Sequence, residues 1–169
     1  MWTLISATPS PYARKVRIAL AEKGIPFTLQ TEVPWDSTTQ TKTFNPLEKL
    51  PVLILEDGKT AIYESHYILE WLEAKHPEPA LLPPITELDD RLFAKKVEVV
   101  CDGICDAMVI AFFEQQREPD KQSEPWKARS VDNITHRFSQ DRTTHHSAIS
   151  CDEATFATTA DINLIVSGK

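Results

Sequence analysis

The sequence predicts an α/β domain followed by a helical region, and three observations carry that expectation. Between Trp2 and about His76, short strand-like apolar runs alternate with amphipathic helical segments: strand, helix, strand, polar loop, strand, strand, helix. A stretch with prolines at 77, 79, 83 and 84 then breaks the alternation. Beyond it a single long helical period runs to about Arg117.

Each element has a local reason. Trp2 to Ile5 is a short apolar run of strand type. Ser10 is suited to an N-cap, and Pro11 to the first helical position, where its missing N–H costs nothing. Val16, Ala19 and Leu20 supply the buried face of that helix, and Gly24 ends it. Phe27 to Glu32 alternates apolar and polar as a strand does. Pro34 to Lys49 is polar and Thr-rich, with a turn at Asn45-Pro46, and predicts a loop holding a short irregular helix. Val52 to Leu55 predicts a buried strand, and Glu56-Asp57-Gly58-Lys59 a hairpin turn into Thr60 to Tyr63. Ser65 is placed to cap a helix with Ile68, Leu69 and Leu72 on its apolar face. A βαβ unit followed by a hairpin and a helix is the thioredoxin-like arrangement.

The resulting division is a thioredoxin-like domain over 1–76, a linker over 77–85, a partial all-α domain over 86–130 and an irregular tail over 131–169. Thr86-Glu87-Leu88-Asp89 resembles a capping box for the long helix, which has apolar residues at 88, 92, 99, 104, 108 and 112. A second helical start falls near Ser123-Glu124-Pro125-Trp126. After Ser130 the chain is rich in Thr, Ser, His and Asp and keeps no period.

Composition narrows the function. With 41% apolar and 25% charged residues the chain reads as a soluble globular protein. A net charge of -7 argues against nucleic acid or an anionic membrane as a partner. Cys101, Cys105 and Cys151 form no disulfide framework, no apolar run is long enough to span a bilayer, and no signal segment is evident. The expected location is cytoplasmic.

Ser10-Pro11-Tyr12-Ala13-Arg14-Lys15-Val16-Arg17, Phe44-Asn45-Pro46 leading to Leu50-Pro51-Val52-Leu53, and Glu64-Ser65 occur in this order at these separations. Together they resemble the cytosolic glutathione S-transferase family, serine-type, over residues 1 to about 117. Asp102-Gly103-Ile104-Cys105-Asp106-Ala107 is similar to the branch that includes the bacterial YibF protein. The resemblance implies a thioredoxin-like domain followed by an all-α domain, here incomplete. It implies glutathione as co-substrate, with no other cofactor and no metal, and a small electrophile as second substrate. A homodimer is left open. Residues 131–169 depart from the family pattern and suggest a truncated or aberrant ending, with weak or lost activity. The rival reading is a noncatalytic glutathione-binding or protein-interaction module of the same fold.

Chemically, a thiol of pKa about 9 needs help to ionise at neutral pH. A hydroxyl at a helix N-terminus can donate to the thiolate within a positive field. On local sequence alone Ser10 reads more readily as a plain N-cap; the other two segments reverse that preference. Ser6 and Tyr12 are secondary candidates. The resemblance further implies a cis Leu50-Pro51 bond that frees the Leu50 backbone for the cysteinyl unit, and Lys49 for the glycyl carboxylate. It assigns Glu64 to the γ-glutamyl ammonium and Ser65 to the carboxylate. Arg14, Lys15 and Arg17 are expected to contribute local positive potential or structural pairing, not chemistry. Asp102 and Asp106 line the second-substrate pocket or are simply exposed, and Cys101 and Cys105 are expected to be buried thiols. The absence of partner ligands argues against a redox or zinc pair at Cys101 and Cys105, and a metal reading of His145, His146 and Cys151 is not adopted.

Overall fold

The computed structural model of the chain describes residues 1–130 and residue 132. Its elements are β1 (Trp2–Ser6), α1 (Pro11–Glu22), β2 (Phe27–Thr31), α2 (Thr41–Phe44), β3 (Val52–Ile54), β4 (Ala61–Tyr63), α3 (Ser65–Lys75) and α4 (Leu88–Gln115). A 3-10 turn at Pro119–Lys121 follows, and residues 124–130 are again helical. The described residues divide into two compact units, the first Met1–Ala94 and the second beginning at Lys95. The first is thioredoxin-like, as the element order predicts. Among the described residues no helix is long and apolar enough to cross a membrane.

The sheet order is β2-β1-β3-β4, with β1 parallel to β2 and antiparallel to β3, and β4 antiparallel to β3. Because side chains alternate along a strand, the sheet presents two apolar faces. Leu4, Leu53 and Ile62 pack with Val16, Ala19, Leu20, Ile68 and Leu72 of α1 and α3. Their neighbours Ile5, Val52 and Ile54 point the other way, toward Phe44, Leu50 and Tyr63. Leu4, Leu20, Leu53, Ile68 and Leu72 are fully buried. Each such side chain stabilises the unit by about 1.5–3 kcal/mol.

The ends of α1 follow its sequence. Ser10 Oγ accepts from the Ala13 N–H at 3.2 Å. At the other end Gly24, at φ +63°, lets its own N–H reach the Ala21 carbonyl and the Ile25 N–H the Leu20 carbonyl. That pair of bonds is a Schellman closure, and the left-handed backbone it needs favours glycine. In the β3–β4 hairpin Asp57 accepts from Lys59 N–H, Thr60 N–H and Thr60 Oγ1, and Gly58 takes φ +65°. These bonds, led by the Thr60 hydroxyl, pull the Asp57 carboxyl down to about 2.

Two charged side chains organise the loops. The Lys23 side chain has no exposed surface; its Nζ donates to the His76 carbonyl at 2.7 Å and the Pro79 carbonyl at 2.9 Å, and pairs with Glu73 Oε2 at 2.9 Å. All three of its donors are used. Glu73 also accepts from the Leu81 N–H, so the proline-rich segment is tied to the ends of α1 and α3. Glu32 accepts from Gln30 Nε2, Thr39 Oγ1, Gln40 N–H and Thr41 Oγ1, between 2.6 and 3.1 Å. This cluster folds the polar loop back onto the sheet.

Several elements differ from expectation. The α3 cap is Glu64, not Ser65, because the longer carboxylate reaches the His66 and Tyr67 N–H groups at 3.2 and 3.1 Å. The long helix starts at Leu88, where Glu87 accepts the first helical bond from Arg91 N–H. On α4, Ile104 and Met108 are buried with Ala107, whereas Val99 is 65% and Phe113 45% exposed. Cys101 is exposed and Cys105 half-buried, since the buried face of α4 runs through 104, 107, 108 and 111. Glu114 accepts from the Ser123 N–H at 2.6 Å and from Arg117 at 3.2 Å, which fixes the turn after α4. Residues 131 and 133–169, with His145, His146 and Cys151, lie outside the described residues.

Replacing Lys23 by Met strands the Glu73 carboxylate and two carbonyls. Urea unfolding should show a loss of about 3–5 kcal/mol, as for other broken buried pairs. A change within experimental error would show that the clasp is dispensable.

For Glu32, burial raises the carboxyl, but the hydrogen bonds from Thr39, Gln30, Gln40 and Thr41 outweigh it and hold it below 4.5. Its stabilising contribution is therefore complete above 4.5 and is lost as pH falls through the lowered value. The Gln40 amide chemical shift should titrate with a midpoint below 4.5, and Glu32→Gln should abolish that titration.

Candidate functional site

Strand register decides where the segments meet. Ile5 of β1 lies opposite Val52 of β3, and Val52 lies opposite Tyr63 of β4. This row is the C-terminal end of β1, the start of β3 and the end of β4. Ser10 follows β1 by four residues, Leu50 precedes β3 by two, and Glu64 and Ser65 come directly after β4. The fold thus brings all three segments to one end of the sheet. Neighbouring strands lie about 4.8 Å apart, so the row from β1 to β4 spans about 10 Å.

At its first position stands Ser10, half-buried at the head of α1. Its backbone N–H donates to the Ala7 carbonyl and its carbonyl accepts from Arg14 N–H, each at 3.0 Å. Its Oγ accepts from Ala13 N–H, and its hydroxyl proton has no acceptor among the described residues. An oxygen that accepts one bond is a better donor of its own proton. The helix dipole adds positive potential at this end. Ser6 differs: its hydroxyl is buried and donates to the Ala7 carbonyl at 3.3 Å, so its proton is already used.

The second position is the turn into β3. The Leu50-Pro51 bond is cis, and neither the N–H nor the C=O of Leu50 has a hydrogen-bond partner among the described residues. Lys49 is exposed, and its ammonium has no ion pair there among the described residues. Sequence reasoning treated Asn45 only as a turn residue. It is buried, with Nδ2 donating to the Lys49 carbonyl at 2.7 Å and Oδ1 accepting from Leu47 N–H at 2.9 Å. Its backbone also bonds Thr41 and Glu48. Asn45 therefore fixes the path of Lys49 into Leu50. The available signal was the Asn side chain's habit of bonding the amide two residues on.

The third position is the head of α3. Glu64 takes φ +72°, a left-handed conformation that is uncommon outside glycine. This bend lets its carboxylate turn onto the helix it precedes, where Ser65 Oγ also donates to it at 3.4 Å. Ser65 is buried as the first residue of α3. The arrangement combines a carboxylate, a hydroxyl and a helix N-terminus, groups that match an ammonium beside a carboxylate.

Comparison with known proteins bears on the family and the fold. Residues 9–75 match the family described as Glutathione S-transferase, N-terminal domain. The chain is 37% identical over 133 residues to the GST-like protein YibF of Escherichia coli, a match covering 78% of this chain and 63% of YibF. A glutathione S-transferase of Methylobacterium radiotolerans, solved with glutathione sulfonate, is 60% identical with a TM-score of 0.78, over 82% of this chain and 64% of that one. Another from Methylobacillus flagellatus, solved with glutathione, is 31% identical with a TM-score of 0.76, over 85% of this chain and 69% of its own. The chain thus spans somewhat under two thirds of the length of YibF and of the Methylobacterium protein. Sequence, fold and the ordered segments at one end of the sheet together place this chain in the glutathione S-transferase family.

Proposed function

We propose that the chain binds glutathione along this end of the sheet and uses Ser10 to stabilise the thiolate for attack on a small electrophile in the cytoplasm. The carrying observation is the Ser10 hydroxyl, which accepts the Ala13 N–H and keeps its own proton unused. Being an N-cap and activating a thiol are compatible roles for one hydroxyl, because they use different faces of the oxygen.

An extended tripeptide spans about 10 Å, at 3.3–3.6 Å per residue. That length lets the γ-glutamyl end sit at the head of α3 and the glycyl end near Lys49, with the cysteinyl unit between them. In this reading the unpaired backbone of Leu50 bonds the cysteinyl unit as one rung of an added strand. Lys49 attracts the glycyl carboxylate. Glu64 receives the γ-glutamyl ammonium, and the Ser65 hydroxyl its carboxylate. The thiol then points toward Ser10. Its proton leaves to solvent, and Ser10 donates a hydrogen bond to the sulfur without giving up its proton. The sulfur lone pair forms the new C–S bond; at an aryl halide, the halide departs with the pair from the broken carbon–halogen bond.

Ser10→Ala and Ser10→Gly test the role directly. Removing a hydrogen bond to a charged thiolate costs about 1.5–3 kcal/mol. The bound thiol's pKa, read from thiolate absorbance, should therefore rise by about one to two units. Turnover with a halonitroaromatic electrophile should fall roughly ten- to a hundredfold. Glycine retains most of the capping stability, so a shift shared by both variants belongs to the hydroxyl. An unchanged thiol pKa would reduce Ser10 to a helix cap.

Lys49→Ala should weaken glutathione binding by only about two- to fivefold, as befits an exposed ion pair. The difference from the parent should shrink in high salt. Titration calorimetry at two ionic strengths reads both effects.

A further inference from the structure

Backbone strain marks the turn that leads into the second position of the candidate site. Glu48 takes φ +54°, a left-handed conformation that a residue with a Cβ enters only at a cost. Such a conformation persists where its surroundings hold it. Glu48 is exposed, and the bonds across the turn come from Asn45. The Asn45 carbonyl accepts from the Glu48 N–H at 3.0 Å, and its side chain closes the same turn through the Leu47 N–H and the Lys49 carbonyl.

Asn45 is held in its own right by a chain of groups that ends at the sheet. Its N–H donates to the Thr41 carbonyl at 2.8 Å. Thr41 has no exposed surface, and its hydroxyl donates to Glu32 Oε2 at 3.1 Å. The same oxygen accepts from Thr39 Oγ1 at 2.6 Å and from the Gln40 N–H at 2.9 Å. Glu32 directly follows β2, and its own N–H donates to the carbonyl of Ser6, the last residue of β1, at 2.9 Å. The carboxylate therefore stands on fixed backbone while it gathers three donors from residues 39–41. At the other end of α2, Phe44 packs with Leu50 against Ile5, Val52 and Ile54. Apolar packing sets how closely α2 approaches the sheet but is non-directional; the bonds at Thr41 fix its orientation.

We propose that Glu32 is a positioning residue for the glutathione site: through Thr41 and Asn45 it holds the 45–48 turn in its left-handed form and so sets where the Leu50 backbone stands. This deepens the glutathione reading above and rests on it. Without the carboxylate the start of α2 is released, and the Asn45 N–H no longer has a fixed acceptor. Glu48 then relaxes out of the left-handed region, and the backbone of Lys49 and Leu50 moves with it. Glu32 touches no part of glutathione in this arrangement; it acts only through the turn.

Titration calorimetry of the full chain with glutathione tests the relay, at a temperature where circular dichroism shows every variant fully folded. Glu32→Ala and Thr41→Val should each weaken glutathione about three- to tenfold, the range for a residue coupled to a site through a contact network. Thr41→Ser keeps the hydroxyl and should bind as the parent does. Adding Glu48→Gly to Glu32→Ala should restore most of the lost affinity, because glycine adopts a positive φ without strain. Adding Glu48→Ala removes the same charge but keeps the Cβ, and should restore little. A parent chain that binds no glutathione at millimolar concentration would overturn the functional reading and the relay with it. With the parent binding, two results would each overturn the relay alone: unchanged affinity in Glu32→Ala and Thr41→Val, or a loss that Glu48→Gly recovers no better than Glu48→Ala.

Discussion

The antiparallel pairing of β1 with β3 is the constraint on which the candidate site depends. With Ile5 opposite Val52, the end of one strand lies beside the start of the other, and β4 extends the same row through Tyr63. Segments 14 to 55 residues apart in sequence then converge without any long side chain having to reach. A slip of one residue would exchange the two faces of β3. Leu53 would leave the core it shares with Leu4 and Leu72, and Val52 and Ile54 would enter it. Burial on both faces therefore protects the register, and the register protects the site.

Around that register, polar and charged side chains shape the connections. Asn45 ties down the turn before Leu50, Glu32 gathers the threonine-rich loop, and Lys23 holds the proline-rich segment against the ends of α1 and α3. All three bond backbone groups, and loops carry backbone groups that no sheet or helix satisfies. Their role is conformational: each narrows the path that a loop can take. Asn45 bears most directly on function, because the residues it positions are Lys49 and Leu50.

The same economy is visible at the helix heads. Ser10 and Glu64 both cap helices, and both are assigned to glutathione in the functional reading. A capping side chain must sit beside unsatisfied N–H groups, where an anion is also stabilised. Capping and ligand binding thus draw residues to the same place. This explains why each residue looked ordinary in isolation.

Much of this was legible in the sequence. The strand and helix order, the Gly24 helix end and the Asp57-Gly58 hairpin follow from local rules, because turn geometry, capping and periodicity involve residues close in the chain. Ser10 at the head of α1 was such a case. The three site segments were marked out by their resemblance to the family. Only the tertiary structure decided what depends on distant partners. Lys23 reads as a surface lysine until His76, Glu73 and Pro79 close around it. Asn45 reads as a turn residue until Lys49 takes its amide. Glu64 displaces Ser65 as the cap only because the backbone bends to φ +72° after β4. Exposure along α4 was equally illegible: helical spacing shows which residues share a face, but which face is covered depends on what packs there. Local propensity is written along the chain, whereas burial and long-range hydrogen bonds exist only once the chain has folded.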